Sequence, residues 1–250
     1  MSAAISKKVV PVYPARTGAR GLKVGGITPF TATDFPGKLA AVVFIQGCPW
    51  RCGYCHNPHL QERTADSAHT WDETRAFLEK RVGLIDAVVF SGGEPTADPF
   101  LHGAIRDAKA MGLAVGLHTA GAYPRKLAAL LPHLDWVGLD IKAPPGKYDE
   151  ITQIAGSAAP AYQSAKAILE SGIAYEFRTT IHPALLSDDN ILEIGEELAG
   201  MGAQHFVLQQ FREVGCGDAR LRRSILSEYP SCQTLTSLRA TFRNFLFRFS

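Results

Sequence analysis

From residue 40 onward, short apolar runs alternate with longer segments of helical periodicity, and no other feature limits the possible folds so sharply. The runs are Ala40 to Gln46, Asp86 to Ser91, Leu113 to Thr119, Trp136 to Lys142, Tyr175 to His182 and His205 to Phe211. Each is rich in Val, Ile, Leu or Phe, as strands covered on both faces require. Helices between successive strands imply right-handed crossovers and a parallel sheet. Units of this size fit either an open doubly wound sheet or an incomplete barrel, and both gather their chemistry at the carboxyl ends of the strands.

Helix ends are legible in the same pass. Thr70 with Glu73 forms a capping-box pattern, and Ser187 opens a run that closes near Gly202. Asp98 reads as a cap with Pro99 at the first helical position and Gly112 as terminator. Leu235, Leu238, Phe242, Phe245 and Phe249 recur at helical spacing and predict a final amphipathic helix. The first acidic residue is Asp34, so Lys7, Lys8, Arg16 and Arg20 make residues 1–20 a basic arm before a domain over 21–250. Formal net charge is only +2, which argues against nucleic acid or a polybasic membrane face as partner. No apolar run approaches the roughly 20 residues of a membrane span, and the expected location is cytoplasmic.

Three of the five cysteines, Cys48, Cys52 and Cys55, fall within eight residues directly after the first strand, in Gln46-Gly47-Cys48-Pro49-Trp50-Arg51-Cys52-Gly53-Tyr54-Cys55-His56-Asn57-Pro58. This is a metal or redox pattern rather than a disulfide framework. Three thiolates can hold three irons of a [4Fe–4S] cubane and leave the fourth iron open to a substrate. A Cys3His zinc site with His56 or His59 competes, although no second ligand pair lies near. A dithiol over Cys52 to Cys55 competes too, and leaves Cys48 without a role. Cys216 and Cys232 stand alone and read as ordinary thiols.

The C-x3-C-x2-C loop, with Tyr54 before its third cysteine, resembles the signature of the radical S-adenosylmethionine (SAM) superfamily. The resemblance implies an incomplete (β/α)6 barrel with a C-terminal amphipathic helix. It also implies that Cys48, Cys52 and Cys55 ligate a [4Fe–4S] cluster whose open iron chelates SAM, with Tyr54 and His56 beside it. Ser91-Gly92-Gly93-Glu94-Pro95 at the end of the second strand matches the family's GGE segment, where Gly92, Gly93 and Glu94 would meet the SAM ammonium. Asp140 and Lys142 share one face of the fourth strand and resemble the Asp-x-Lys of glycyl-radical activating enzymes, implying contacts to ribose and carboxylate. A structural ion pair is the competing reading. Arg178 on the fifth strand matches a SAM-contacting arginine, or else pairs with Glu94 or Asp140.

His118-Thr119-Ala120-Gly121 stands where those enzymes often carry Asp-Thr-Asn-Gly; Thr119 and Gly121 persist, and His118 reads equally as a core histidine. Arg212 occupies the place of a histidine that touches adenine. Gly25-Gly26-Ile27 and Phe30 to Lys38, leading into the first strand, resemble the leader of activating enzymes, and Gly116 to Pro124 with Asp135 to Lys142 resembles the anaerobic ribonucleoside-triphosphate reductase activating proteins. The implied activity is reductive SAM cleavage that installs a glycyl radical on that reductase, with flavodoxin or ferredoxin as electron donor. Competing expectations are a pyruvate formate-lyase-type activating enzyme, a radical SAM enzyme acting on a small molecule, and a non-catalytic zinc module.

Overall fold

The computed structural model describes residues 18–218, 221 and 229–249. All of the expected basic arm before Gly18 lies outside them. The strands are β1 (Val24–Thr31), β2 (Ala40–Ile45), β3 (Ala87–Gly92), β4 (Ala114–Thr119), β5 (Trp136–Asp140), β6 (Ala174–Ile181), β7 (His205–Gln210) and β8 (Asn244–Arg248). The helices are α1 (Trp71–Glu79), α2 (Leu101–Ala110), α3 (Pro124–Leu130), α4 (Tyr148–Thr152), α5 (Ala158–Ser171), α6 (Asp188–Gly200) and α7 (Cys232–Thr241). One sheet runs in the order β1 to β8, with β1 antiparallel to β2 and every later pair parallel. Side chains from Thr28 on β1 round to Arg248 on β8 line one cavity, so the sheet is curled into a partial barrel.

All six expected strands form, and two more extend the sheet. Val24–Thr31 was expected only as a leader because its glycines and Pro29 weaken any strand pattern, yet it pairs along the edge of β2. The expected C-terminal helix is corrected too. It ends at Thr241, and Asn244–Arg248 leaves it to pair with β7. Phe245 and Phe247 alternate with Leu246 and Arg248, a period-two pattern that also satisfies the backbone groups of β7.

Local chemistry sets the helix ends. The Thr70 hydroxyl accepts from the Glu73 N–H at 3.2 Å and the Glu73 carboxylate accepts from the Thr70 N–H at 2.8 Å, a reciprocal cap for α1. Ser187 and Asn190 do the same for α6. Asp98 accepts from the Phe100 N–H at 2.9 Å, but α2 starts only at Leu101, so Pro99 stands outside the helix. Gly112 follows α2 at φ +81°, the left-handed stop its sequence predicts.

The curl gives the sheet two different faces. Val43, Phe90, Val115, Leu117, Val137, Leu139, Phe177 and Phe206 point outward into the main core beneath the helices. Inside, a smaller cluster of Phe35, Ala40, Val42, Ala87, Val89 and Trp136 fills the end of the barrel at the strands' amino ends. Phe35, on the β1–β2 connection, is the plug: its ring lies 5.5 Å from that of Trp136. A Cβ on Gly116 would come within 3.0 Å of the Phe35 ring, so β4 carries glycine there. Replacing Phe35 with Ala empties this end of the barrel and should cost about 3–5 kcal/mol, read as a lower denaturant midpoint for unfolding.

Candidate active site

The segment after β2 is held by backbone bonds to its neighbours. Gly47 N–H donates to the Leu60 carbonyl at 2.8 Å, Cys48 N–H to Gln61 at 2.9 Å, and Arg51 N–H to Thr152 of α4 at 2.9 Å. Gly47 adopts φ +98°, which turns the chain over the strand end. This frame leaves Cys48, Cys52 and Cys55 lining a cavity of about 670 Å³ at the carboxyl ends of the strands. Burial pushes the Cys48 thiol up to about 12 and raises that of Cys52. Among the described residues no three His, Cys, Asp or Glu side chains converge closely enough to hold one metal ion. Three thiols on one cavity are the donor set of a polynuclear cluster, in which each takes a different iron.

The same cavity is lined by a set of three charges. Asp140 accepts from Arg178 Nε at 3.0 Å and Nη2 at 2.9 Å, and Lys142 Nζ lies 3.6 Å from its other oxygen. The guanidinium crosses β5 over Gly138, where a Cβ would come within 2.9 Å of Arg178 Cζ. Burial works to raise the Asp140 pKa, but Arg178, Lys142 and His118 together hold it below the usual carboxylate value. Burial likewise opposes the Lys142 charge, and the oxygens of Tyr54 and Asp140 overcome it, raising its pKa well above that of a free lysine. Lys142 Nζ sits 5.5 Å from the centre of the buried Tyr54 ring, which joins this charge set to the cysteine segment.

Gly92, Gly93, Thr119, Tyr54, His56, Asp140, Lys142 and Arg178 all line the cavity with the cysteines. Glu94 does not. It is fully buried, and its carboxylate accepts from Thr96 N–H and hydroxyl at 3.1 and 2.6 Å, Thr119 hydroxyl at 2.7 Å and Ala120 N–H at 2.8 Å. These bonds tie the end of β3 to the end of β4 and hold the carboxylate directly behind the cavity-lining Gly92 and Gly93. The glycines before it also have a packing reason, since a Cβ on Gly92 or Gly93 would strike the backbone of Ile45 or Gly47.

His118 lines the floor of the cavity. Its Nε2–H donates to the Asp34 carbonyl at 2.9 Å, and its ring meets Trp136 edge-on at 5.4 Å. Burial, with help from Arg178, lowers its pKa to about 3 and keeps it neutral. On the far side, the segment after β7 clasps the cysteine segment. His56 stacks on Phe211 at 5.4 Å and its Nε2–H donates to the Arg212 carbonyl at 3.0 Å. Cys216 is buried with its Sγ 3.8 Å from the Gly53 carbonyl, and Cys232 is exposed. Sequence reasoning missed Gln209, Gln210, Arg248 and Phe249, which also line the cavity. Alternation along β7 would have flagged Gln209, whereas the β8 residues were hidden by the helical reading.

The curled parallel sheet, plugged at one end and carrying a cysteine-lined cavity at the other, defines a class of cofactor-dependent barrel enzymes. The chain belongs to the radical SAM superfamily, whose sequence profile matches residues 42–198. Members use a [4Fe–4S] cluster and SAM. A Methanocaldococcus jannaschii protein named as a glycyl-radical enzyme activating enzyme is 28% identical over 210 residues, 80% of this chain and 84% of its own. The pyruvate formate-lyase-activating enzyme of Clostridium pasteurianum is 34% identical over 125 residues, 48% of this chain and 52% of the enzyme. The fold is that of Streptococcus suis SuiB, solved with its precursor peptide SuiA, at TM-score 0.63 and 17% identity, covering 83% of this chain and 48% of SuiB. The chain thus spans about half the length of the Clostridium enzyme and of SuiB. Among the described residues, no helix is long and apolar enough to cross a membrane.

His118 also sets an acid sensitivity. Its pKa is about 3 in the fold against 6.5 for a free imidazole, so the unfolded chain takes up the proton first. Stability from this residue is fully present above 6.5 and is lost as pH falls toward 3. Denaturation midpoints measured across that window should fall for the wild type and fall less steeply for His118→Gln.

Proposed function

We propose that the chain is a glycyl-radical enzyme activating enzyme and that its partner is an anaerobic ribonucleoside-triphosphate reductase. The observation that carries this is one open cavity lined both by three cysteine thiols and by the Asp140–Arg178–Lys142 set. Cys48, Cys52 and Cys55 would hold the cluster, and their place on one cavity fits it. When bound, the cluster supplies the electron that splits SAM into methionine and the 5′-deoxyadenosyl radical that takes hydrogen from a glycine Cα.

The chain's own residues bind and orient. Lys142 offers a fixed ammonium for the SAM carboxylate, held protonated by Asp140. Asp140 lines the cavity, and its second oxygen, 3.6 Å from Lys142 Nζ, would accept from a ribose hydroxyl. The Gly92-Gly93-Glu94 segment would meet the SAM ammonium, its two glycines lining the cavity and Glu94 bonded just behind them. Tyr54 and the His56–Phe211 stack keep the cysteine segment rigid and dry. No side chain is required as acid or base.

The reductase is favoured as partner by the segments Gly116 to Pro124 and Asp135 to Lys142, and flavodoxin or ferredoxin would deliver the electron. A pyruvate formate-lyase-type role is the second reading, favoured by the Clostridium relative.

Anaerobically reconstituted protein should bind about four irons per chain. Cys48→Ala, Cys52→Ala or Cys55→Ala should lose them, whereas Cys216→Ala and Cys232→Ala should not; stoichiometric zinc without iron would refute the assignment. Lys142→Ala should weaken SAM binding by about tenfold or more, with thermal unfolding little changed; the reverse pattern would make the ion pair structural. Reduced protein with SAM should produce a glycyl EPR signal on the reductase. A signal only on pyruvate formate-lyase would leave the activase reading standing with the other partner.

A further inference from the structure

A glycine offers no side chain to recognise, so a protein that must select one has only the backbone and the flanking residues to hold. Backbone is recognised most directly by the unpaired edge of a sheet, which donates and accepts at a fixed repeat. The sheet has two edges, β1 and β8.

The β1 edge is unsuited to pairing. Pro29 lacks an N–H, and the register against β2 slips between Val24 and Gly26 and again between Thr28 and Thr31. By contrast, β8 is regular, with continuous pairing to β7 from Asn244 to Arg248 and no Gly or Pro. The Asn244 N–H donates to the Gln204 carbonyl at 3.0 Å, on the β7 side. Because successive residues of a strand turn their backbone groups to opposite sides, Leu246 and Arg248 face β7 as well, and Phe245 and Phe247 direct theirs outward. Among the described residues no strand pairs with that outer edge.

Three further features make this edge a track rather than a leftover. It is held rigid, because Arg248 reaches across β7 to form two bonds with Glu176, at 2.8 and 2.7 Å. It leads somewhere, since Arg248 and Phe249 at its carboxyl end line the cysteine cavity. It is also flanked by apolar surface: Leu246 is 48% and Phe249 77% exposed.

We propose that the free edge of β8 docks an extended, glycine-bearing segment of the partner protein. The segment pairs with the outward groups of Phe245 and Phe247 and is led into the cavity at Arg248 and Phe249. This rests on the activase reading and adds to it the surface and the mode of recognition.

The test uses the cluster-loaded protein with SAM and an intact glycyl-radical enzyme. Phe247→Pro removes one outward N–H while leaving the β7-facing groups in place, and Phe247→Leu keeps the N–H and changes only the ring. Circular dichroism and iron content establish that both variants are folded and loaded. Glycyl-radical formation, followed by EPR, should slow by about tenfold in Phe247→Pro and by no more than about twofold in Phe247→Leu. Hydrogen exchange at the Phe245 and Phe247 amides of the wild type should slow when the partner is added. Equal radical yields from the two variants, or unchanged exchange, overturns the proposal. So does a wild-type dimer that Phe247→Pro splits in sedimentation velocity, because the edge would then belong to a second copy of this chain. If wild type and Phe247→Leu both cleave SAM yet put no radical on any glycyl-radical enzyme, the activase reading itself has failed.

Discussion

The two-residue period of a β-strand is the constraint on which the rest of this molecule depends. Once the sheet curls, one parity of every strand lies under helices and the other lies inside the barrel, with no intermediate environment. Strand β5 shows the consequence along a single line. Val137 and Leu139 go outward to the main core, while Trp136, Gly138 and Asp140 go inward. Trp136 packs on the Phe35 plug, Gly138 leaves room for a guanidinium, and Asp140 receives it at the rim of the cavity. Packing, clearance and charge thus follow one another within five residues. A slip of one position would exchange all three for apolar side chains.

Much of this was legible beforehand, for reasons that also explain the failures. The strands β2 to β7 are strongly apolar and bounded by turns or caps, so periodicity, punctuation and composition agree. On β1, glycine and proline erase the pattern, and only pairing with β2 makes it a strand. The β8 region deceived in the opposite sense. Phe242, Phe245 and Phe249 fall at helical intervals, while Phe245, Phe247 and Phe249 fall at strand intervals, and the open edge of β7 decides between them. At the site, spacing along the chain could indicate the cysteine segment and the Asp140–Lys142 face. It could not indicate that Arg178 pairs with Asp140 rather than Glu94, because that depends on the register between β5 and β6.

Carboxylates held away from water are expensive unless compensated, and Asp140, Glu176 and Glu94 are compensated in different ways. Asp140 is matched by two cations and lines the cavity, Glu176 is matched by Arg248, and Glu94 forms no ion pair among the described residues. Instead two hydroxyls and two amides fill its acceptor positions, from Thr96, Thr119 and Ala120. Exchanging either threonine for valine removes one of the four donors to this carboxylate, and shortening the glutamate leaves both hydroxyls without their acceptor. Positions 94, 96 and 119 are therefore energetically coupled. A double exchange here is therefore not the sum of its two single exchanges, whereas distant surface positions add.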